Sequence, residues 1–207
     1  MESIIVLFFQ LAILLMSIVI HEFAHGWMAF YLGDPTAKHS GRLTLNPIKH
    51  LDAWGSFFIP LMVFVFSSGQ AIFGWAKPVP YNPYNLRDQK YGLAKVAAAG
   101  PFANLLVALV FGLALRFMPL QVLAFNGLAQ IFSLIVFLNI LLAVFNLVPL
   151  PPLDGSKILF TFLPRSFDKT MMFLEQYGMI FLLFFIFFAF QLILPFVFFI
   201  FHLITGA

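Results

Sequence analysis

Five long apolar runs, residues 4–20, 54–66, 96–117, 128–148 and 179–204, restrict this chain to a membrane fold. About 20 apolar residues in a row are enough for a helix to cross the hydrocarbon core of a bilayer. Only 9% of the 207 residues are charged, whereas a soluble domain has about 25%. We therefore predict an all-α polytopic membrane protein with about four to six transmembrane helices. A soluble enzyme and a nucleic-acid-binding module are excluded.

The second run, residues 54–66, decides the topology because it is short and contains Pro60. If it crosses the membrane, the 11 basic residues divide 4 against 7; if it re-enters, they divide 10 against Arg116 alone. Because basic residues collect on the cytoplasmic side, the charges favour re-entry. We expect four helices and a re-entrant segment in the cell membrane, with the N-terminus outside.

The chain is predicted to be one integral membrane domain, residues 1–207. Its first helix should end before Gly33-Asp34-Pro35, a strong helix breaker. Gln191 and Pro195 leave open whether the tail is one helix or two. The predicted elements are a helix 3–32, a strand or re-entrant region 36–68, a loop 69–90, helices 91–117 and 127–148, a ligand loop 149–157 and a C-terminal helix or helices 172–204.

The segment His21-Glu22-Phe23-Ala24-His25 carries the clearest chemical signal. Residues four apart share one face of a helix, so both imidazoles can reach one ion. Glu22 is adjacent to them and can touch a water bound to that ion. Ionisable side chains inside an apolar run are costly and usually functional. Because the chain has no cysteine, a metal site has to use His, Asp and Glu.

A catalytic zinc site typically has three protein ligands, so a third must come from elsewhere in the chain. Asp154 is the best candidate, because prolines at 149, 151 and 152 end the preceding helix and Gly155 permits a sharp turn. In the re-entrant topology, Asp154 and the two histidines approach the same membrane face. The other candidates are carboxylates and His39, His50 and His202.

Three motifs resemble those of the site-2 protease family, the intramembrane zinc metalloproteases of peptidase family M50. They are H-E-x-x-H at 21–25, G-P-x-x-N at 100–104 and N-x-x-P-x-P-x-x-D-G at 146–155. Residues 33–37, 41–47 and 74–80 are also similar to the small bacterial form, which has no PDZ or CBS domain. The resemblance covers roughly residues 20 to 155.

The resemblance implies one Zn²⁺ per chain, held by His21, His25 and Asp154, with Glu22 as the catalytic base. It implies an endopeptidase that cuts a transmembrane protein substrate in regulated intramembrane proteolysis, with the active site towards the cytoplasm. The substrate, the trigger and the oligomeric state stay open.

Two asparagines near helix ends, Asn104 and Asn146, are further candidates. Their amides are suited to donate to a developing oxyanion or to the substrate backbone. The structural alternative is a helix cap or an interhelical hydrogen bond. The choice is open for Asn146, and for Asn104 the structural role is favoured.

Residues 39–46 alternate in part and end before Pro47, which predicts a short strand or hairpin beside the membrane. We expect the edge at 42–46 to hold an unwound substrate segment, so that Thr44→Pro slows cleavage without removing metal.

A metal-binding membrane transporter or channel is the main alternative function. It would use the same histidines and aspartate but would not need a glutamate at position 22. The inverted repeats that many transporters show are absent from the sequence.

Overall fold

A computed structural model describes residues 2–58, 62, 77–119, 122 and 127–206. Every regular element in these residues is helical, and none of them forms a strand. The main helices are α1 (Glu2–Tyr31), α2 (Thr36–His39), α3 (Gly92–Phe117), α4 (Leu128–Asn146), α5 (Asp154–Phe162), α6 (Asp168–Phe184) and α7 (Leu194–Thr205).

Four helical stretches are long and apolar enough to cross a membrane. These are Leu7–Tyr31, Gly92–Phe117, Leu128–Asn146 and Arg165–Leu192. Many of their large side chains point outwards; Phe187 and Phe188, for example, are more than 70% exposed. Such exposure suits lipid and not water, and it supports a multi-pass membrane protein whose described regular elements are all helical.

The core lies where α3 and α4 meet α7. Ala108 of α3, Val136 and Ile140 of α4 and Val197 of α7 form one buried cluster. Small residues allow this close packing: a Cβ on Gly112 would lie 2.3 Å from Ile204. Tight contact between small residues is the usual means by which helices associate in lipid.

The C-terminal apolar run forms two elements. After α6 the chain passes through a π-helical turn, Phe185–Ala189, and a 3-10 turn, Phe190–Leu192, before α7 begins. Pro195 is in the first turn of α7, where a missing N–H group costs no helical hydrogen bond.

The predicted strand or hairpin at residues 39–46 does not form. Gly41, with φ +66°, ends α2, and the Arg42 N–H donates back to the Ala37 carbonyl. The Thr44 carbonyl accepts from His50 Nε2, and the Thr44 hydroxyl accepts from the Asn46 N–H. These local hydrogen bonds occupy groups that a strand ladder would need, so the hypothesis of substrate pairing at this edge loses its basis.

Most of the predicted re-entrant segment lies outside the described residues. The structure describes residues 54–58 and 62 of the apolar run 54–66. Re-entry of this segment therefore stays a prediction.

The proline-rich connection after α4 is shorter than predicted. It runs over residues 147–153, and Asp154 is already the first residue of α5. Gly155 does not make a sharp turn. A Cβ there would lie 2.2 Å from the Leu147 carbonyl oxygen, so glycine lets the connection pack directly against the start of α5.

Candidate metal centre

Helices α1 and α5 bring His21, His25 and Asp154 together. The two His Nε2 atoms are 3.0 Å apart, and the Asp154 Oδ2 atom is 3.1 Å from that of His21 and 3.0 Å from that of His25. All three residues are buried. Among the described residues, this is the one group of three or more His, Asp or Glu side chains placed to share a metal ion.

The proton on His25 is fixed by its partner on α3. Its Nδ1 lies 2.7 Å from the Val96 carbonyl oxygen, which can only accept. The Nδ1 atom therefore carries the proton, and the Nε2 atom of a neutral imidazole presents a lone pair to Asp154.

A chain of buried amides fixes the proton on His21 in the same way. Asn139 Nδ2 donates to the Ile135 carbonyl and to Ser17 Oγ, so Asn139 Oδ1 accepts from Asn104 Nδ2 at 2.8 Å. This leaves Asn104 Oδ1 facing His21 Nδ1 at 2.6 Å. His21 Nδ1 must donate, and its Nε2 also presents a lone pair.

When both imidazoles are neutral, their two Nε2 lone pairs and the Asp154 carboxylate converge with no proton between them. Such a group repels itself unless a cation lies among its members. A tetrahedral zinc site with ligands at about 2.0–2.1 Å has edges of about 3.3 Å between ligand atoms. The observed separations of 3.0–3.1 Å are close to that value. The donor set and its spacing therefore fit zinc.

Gly100 of α3 provides the space beside these atoms. A Cβ at this position would lie 2.5 Å from His25 Nε2 and 2.6 Å from His21 Nε2. Any side chain would fill the space next to the two imidazole nitrogens. The glycine of the G-P-x-x-N motif thus leaves room for the two imidazole nitrogens.

Lys157 lies one turn after Asp154 on α5. Its Nζ is 3.2 Å from Asp154 Oδ1, the oxygen that faces away from the histidines. Burial lowers the pKa of the Lys157 ammonium, but the Asp154 carboxylate and Tyr81 outweigh burial and raise it. Lys157 is therefore a permanent cation beside the site.

Glu22 is partly buried on α1 and makes a contact that the sequence did not predict. Its Oε2 atom accepts a 2.8 Å hydrogen bond from the backbone N–H of Val79, in the segment before α3. The carboxylate is thus oriented by backbone from outside its own helix.

The other predicted residues lie apart from this centre. Asn146 Nδ2 donates to the Leu142 carbonyl on its own helix. His50 Nε2 donates to the Thr44 carbonyl, and His202 Nδ1 to the Phe198 carbonyl. Asn104 is at the centre, but its amide is fully engaged: Oδ1 accepts from His21, and Nδ2 donates to Asn139 and to the Ser17 carbonyl.

Sequence reasoning did not find Asn139, Lys157 or Val79. Asn139 had a signal, because it is an amide in the middle of an apolar span, where a polar side chain needs a partner. Lys157 is three residues after Asp154, the spacing of neighbours on a helix, but that helix was not predicted. Nothing in the sequence marks the Val79 backbone as a partner of Glu22.

Comparison with known proteins places the chain in a family. The model of peptidase family M50 matches residues 9–123 and 118–190. "Putative zinc metalloprotease YwhC" of Bacillus subtilis is 41% identical over 172 residues, which cover 81% of this chain and 74% of that protein. Proteins named "Putative zinc metalloprotease Rip2" from Mycolicibacterium smegmatis and Mycobacterium tuberculosis are 31% and 30% identical, and the matches cover 61% and 62% of their lengths. No solved structure matches. The chain belongs to peptidase family M50, the site-2 protease family that its motifs predicted.

Proposed function

We propose that this chain is a zinc-dependent intramembrane endopeptidase. It hydrolyses a peptide bond within or near a transmembrane segment of another membrane protein. One observation carries the proposal: in the buried triangle of His21, His25 and Asp154, the two histidines lie on a helix long and apolar enough to span a membrane. His25 lies six residues before Tyr31, which ends the span Leu7–Tyr31 and is about 9 Å away along the axis.

The donor chemistry favours zinc over the hard cations. Ca²⁺ and Mg²⁺ take oxygen ligands, whereas two imidazoles and one carboxylate suit Zn²⁺. His21, His25 and Asp154 would hold one ion per chain, and the relatives are named zinc metalloproteases, which agrees with this metal. When bound, zinc supplies a Lewis acid that polarises a carbonyl and makes water acidic near neutral pH.

The residues around the metal have distinct tasks. Glu22 takes a proton from the attacking water and returns it to the leaving amine. Asn104 and the Val96 carbonyl keep both imidazoles in the tautomer that binds metal. Lys157 holds Asp154 from the side opposite the histidines.

The substrate is a transmembrane helix, and this sets a second requirement. Its peptide groups are hydrogen-bonded within the helix, so it has to unwind locally before Glu22 can act on it. Water reaches the site from the cytoplasmic side in the topology that the basic residues favour, with the N-terminus outside. Cleavage of this kind is regulated intramembrane proteolysis.

Glu22→Gln tests the proposal. The purified protein is reconstituted with zinc in liposomes, together with a dye-labelled single-span peptide that contains Gly and Pro in its span. We expect Glu22→Gln to abolish cleavage and to retain zinc. The control Glu175→Gln, on an exposed site of α6, should retain both. Cleavage by Glu22→Gln would contradict the mechanism, and zinc flux into the liposomes that survives this change would favour the transporter.

A further inference from the structure

The segment from Lys77 to Asn82 has no regular secondary structure and passes α1 at the H-E-x-x-H motif. Within it, the Val79 N–H donates to Glu22 Oε2 at 2.8 Å, and the Val79 side chain is 4% exposed. The geometry points to Val79 as a positioning residue, whose backbone N–H sets the orientation of the Glu22 carboxylate. This inference rests on the proposed function.

The sequence Pro78-Val79-Pro80 presents a single donor. Proline has no backbone N–H, so Val79 carries the one N–H group of these three residues. The flanking prolines also fix their own φ angles and restrict the residues that precede them. A stiff segment with one donor, aimed at the proposed base, is suited to fix one oxygen and leave the other for a proton.

Gly26, one turn along α1 from Glu22, leaves room for the Val79 side chain. A Cβ on Gly26 would lie 2.8 Å from Val79 Cγ1, closer than real Cβ contacts allow. The absence of a side chain at 26 lets the segment approach α1 closely enough for its N–H to reach the carboxylate.

Three further hydrogen bonds fix the segment at both ends. The Lys77 N–H donates to the His50 carbonyl at 2.8 Å, and Arg42 Nη1 donates to the Pro78 carbonyl at 2.8 Å. At the other end, the Asn82 N–H donates to Asp34 Oδ2 at 2.6 Å. A segment held at both ends is a fixed part of the site and not a cover that lifts away.

The position of Glu22 matters because proton transfer depends on distance and direction. A carboxylate on a flexible side chain would sample several orientations, and a misplacement of about 1 Å can cost about 100-fold in rate. A backbone donor that is itself fixed removes this freedom before substrate arrives.

Hydrogen–deuterium exchange on the zinc-free protein is the first test, because it does not depend on activity. Val79 contributes the only amide of residues 78–80, so its exchange is read alone. We expect Glu22→Ala to speed that exchange by about tenfold or more, since a bond to a charged acceptor is lost. Glu175→Ala should leave it unchanged. Equal exchange in wild type and Glu22→Ala would overturn the inference.

Kinetics on the zinc-loaded protein are the second test. Val79→Pro removes the N–H, whereas Val79→Ala keeps it and removes only side-chain packing. We expect Val79→Pro to lower kcat by about 10- to 100-fold with KM and zinc content within about twofold, and Val79→Ala to lose less. Equal kcat in the two variants, or loss of zinc together with kcat, would overturn the inference.

If Val79→Pro does not fold, Gly26→Ala and the double variant Gly26→Ala/Val79→Ala test the inference instead. Gly26→Ala should push Val79 away from α1 and lower kcat, and adding Val79→Ala should restore part of the loss. A double variant no faster than Gly26→Ala would overturn the inference. A different result would contradict the proposed function, namely cleavage of the substrate by Glu22→Gln.

Discussion

Gly100→Ala should strongly weaken metal binding although Gly100 is not a ligand. The added Cβ would lie 2.5 Å from His25 Nε2 and 2.6 Å from His21 Nε2, where ordinary contact starts at 3.4 Å. The imidazoles would have to retreat by about 0.9 Å. Ligand distances in a metal site tolerate about 0.2 Å, so this displacement is several times too large.

We expect zinc affinity to fall by at least about 100-fold, or roughly 2.7 kcal/mol. The assay is competition for zinc against a chelating dye, with the protein in detergent. The matched control is Gly92→Ala at the start of α3, where the new methyl group would lie 3.1 Å from Leu86 Cδ1 and 3.2 Å from Leu86 Cβ, so it crowds Leu86 and none of the candidate ligands. Wild-type zinc affinity in Gly100→Ala would refute the placement of the metal beside the two imidazoles.

Three further predictions concern the surroundings of the centre. Asn104→Leu removes the acceptor that fixes the His21 tautomer, so zinc affinity measured by the same competition should fall about 10- to 100-fold while the helices stay folded by circular dichroism. Asp34→Asn should destabilise the zinc-free protein by about 2 kcal/mol, because the buried carboxylate accepts four hydrogen bonds. Burial raises the pKa of Asp34, but hydrogen bonds from Thr36, Asn85 and Asn82 outweigh burial and lower the pKa. The stabilisation by Asp34 is therefore present above about pH 4 and is lost as the pH falls through the pKa of the folded state. The difference in Tm between wild type and Asp34→Asn should shrink at acid pH. Gly155→Ala should lower both Tm and zinc content, because its Cβ would lie 2.2 Å from the Leu147 carbonyl oxygen and displace the start of α5.

Hydropathy predicted the helical class because lipid allows few alternatives. Long apolar runs have to satisfy their backbone groups internally, so the positions of the main helices follow from the sequence. The strand or hairpin at 39–46 was predicted from alternation alone. A helix-ending turn at Gly41 and the His50 side chain use the same backbone groups, and alternation cannot reveal that competition.

The candidate ligands were visible because they stand in motifs. His21 and His25 share a helix face by spacing, and Asp154 was favoured by the prolines before it. Gly100, Asn139 and Val79 were not assigned to the site because their contacts come from other elements. Close approach of two helices, or of a segment to a helix, leaves no local pattern in the chain.

The most direct measurement of the central claim is bound zinc per chain in detergent for wild type, Asp154→Ala and the exposed control Asp168→Ala. The account predicts about one zinc in wild type and in Asp168→Ala, and a sharp loss in Asp154→Ala, because catalytic zinc sites use three protein ligands and only two would remain. Full zinc occupancy in Asp154→Ala would contradict the account, since the third ligand would then lie elsewhere in the chain.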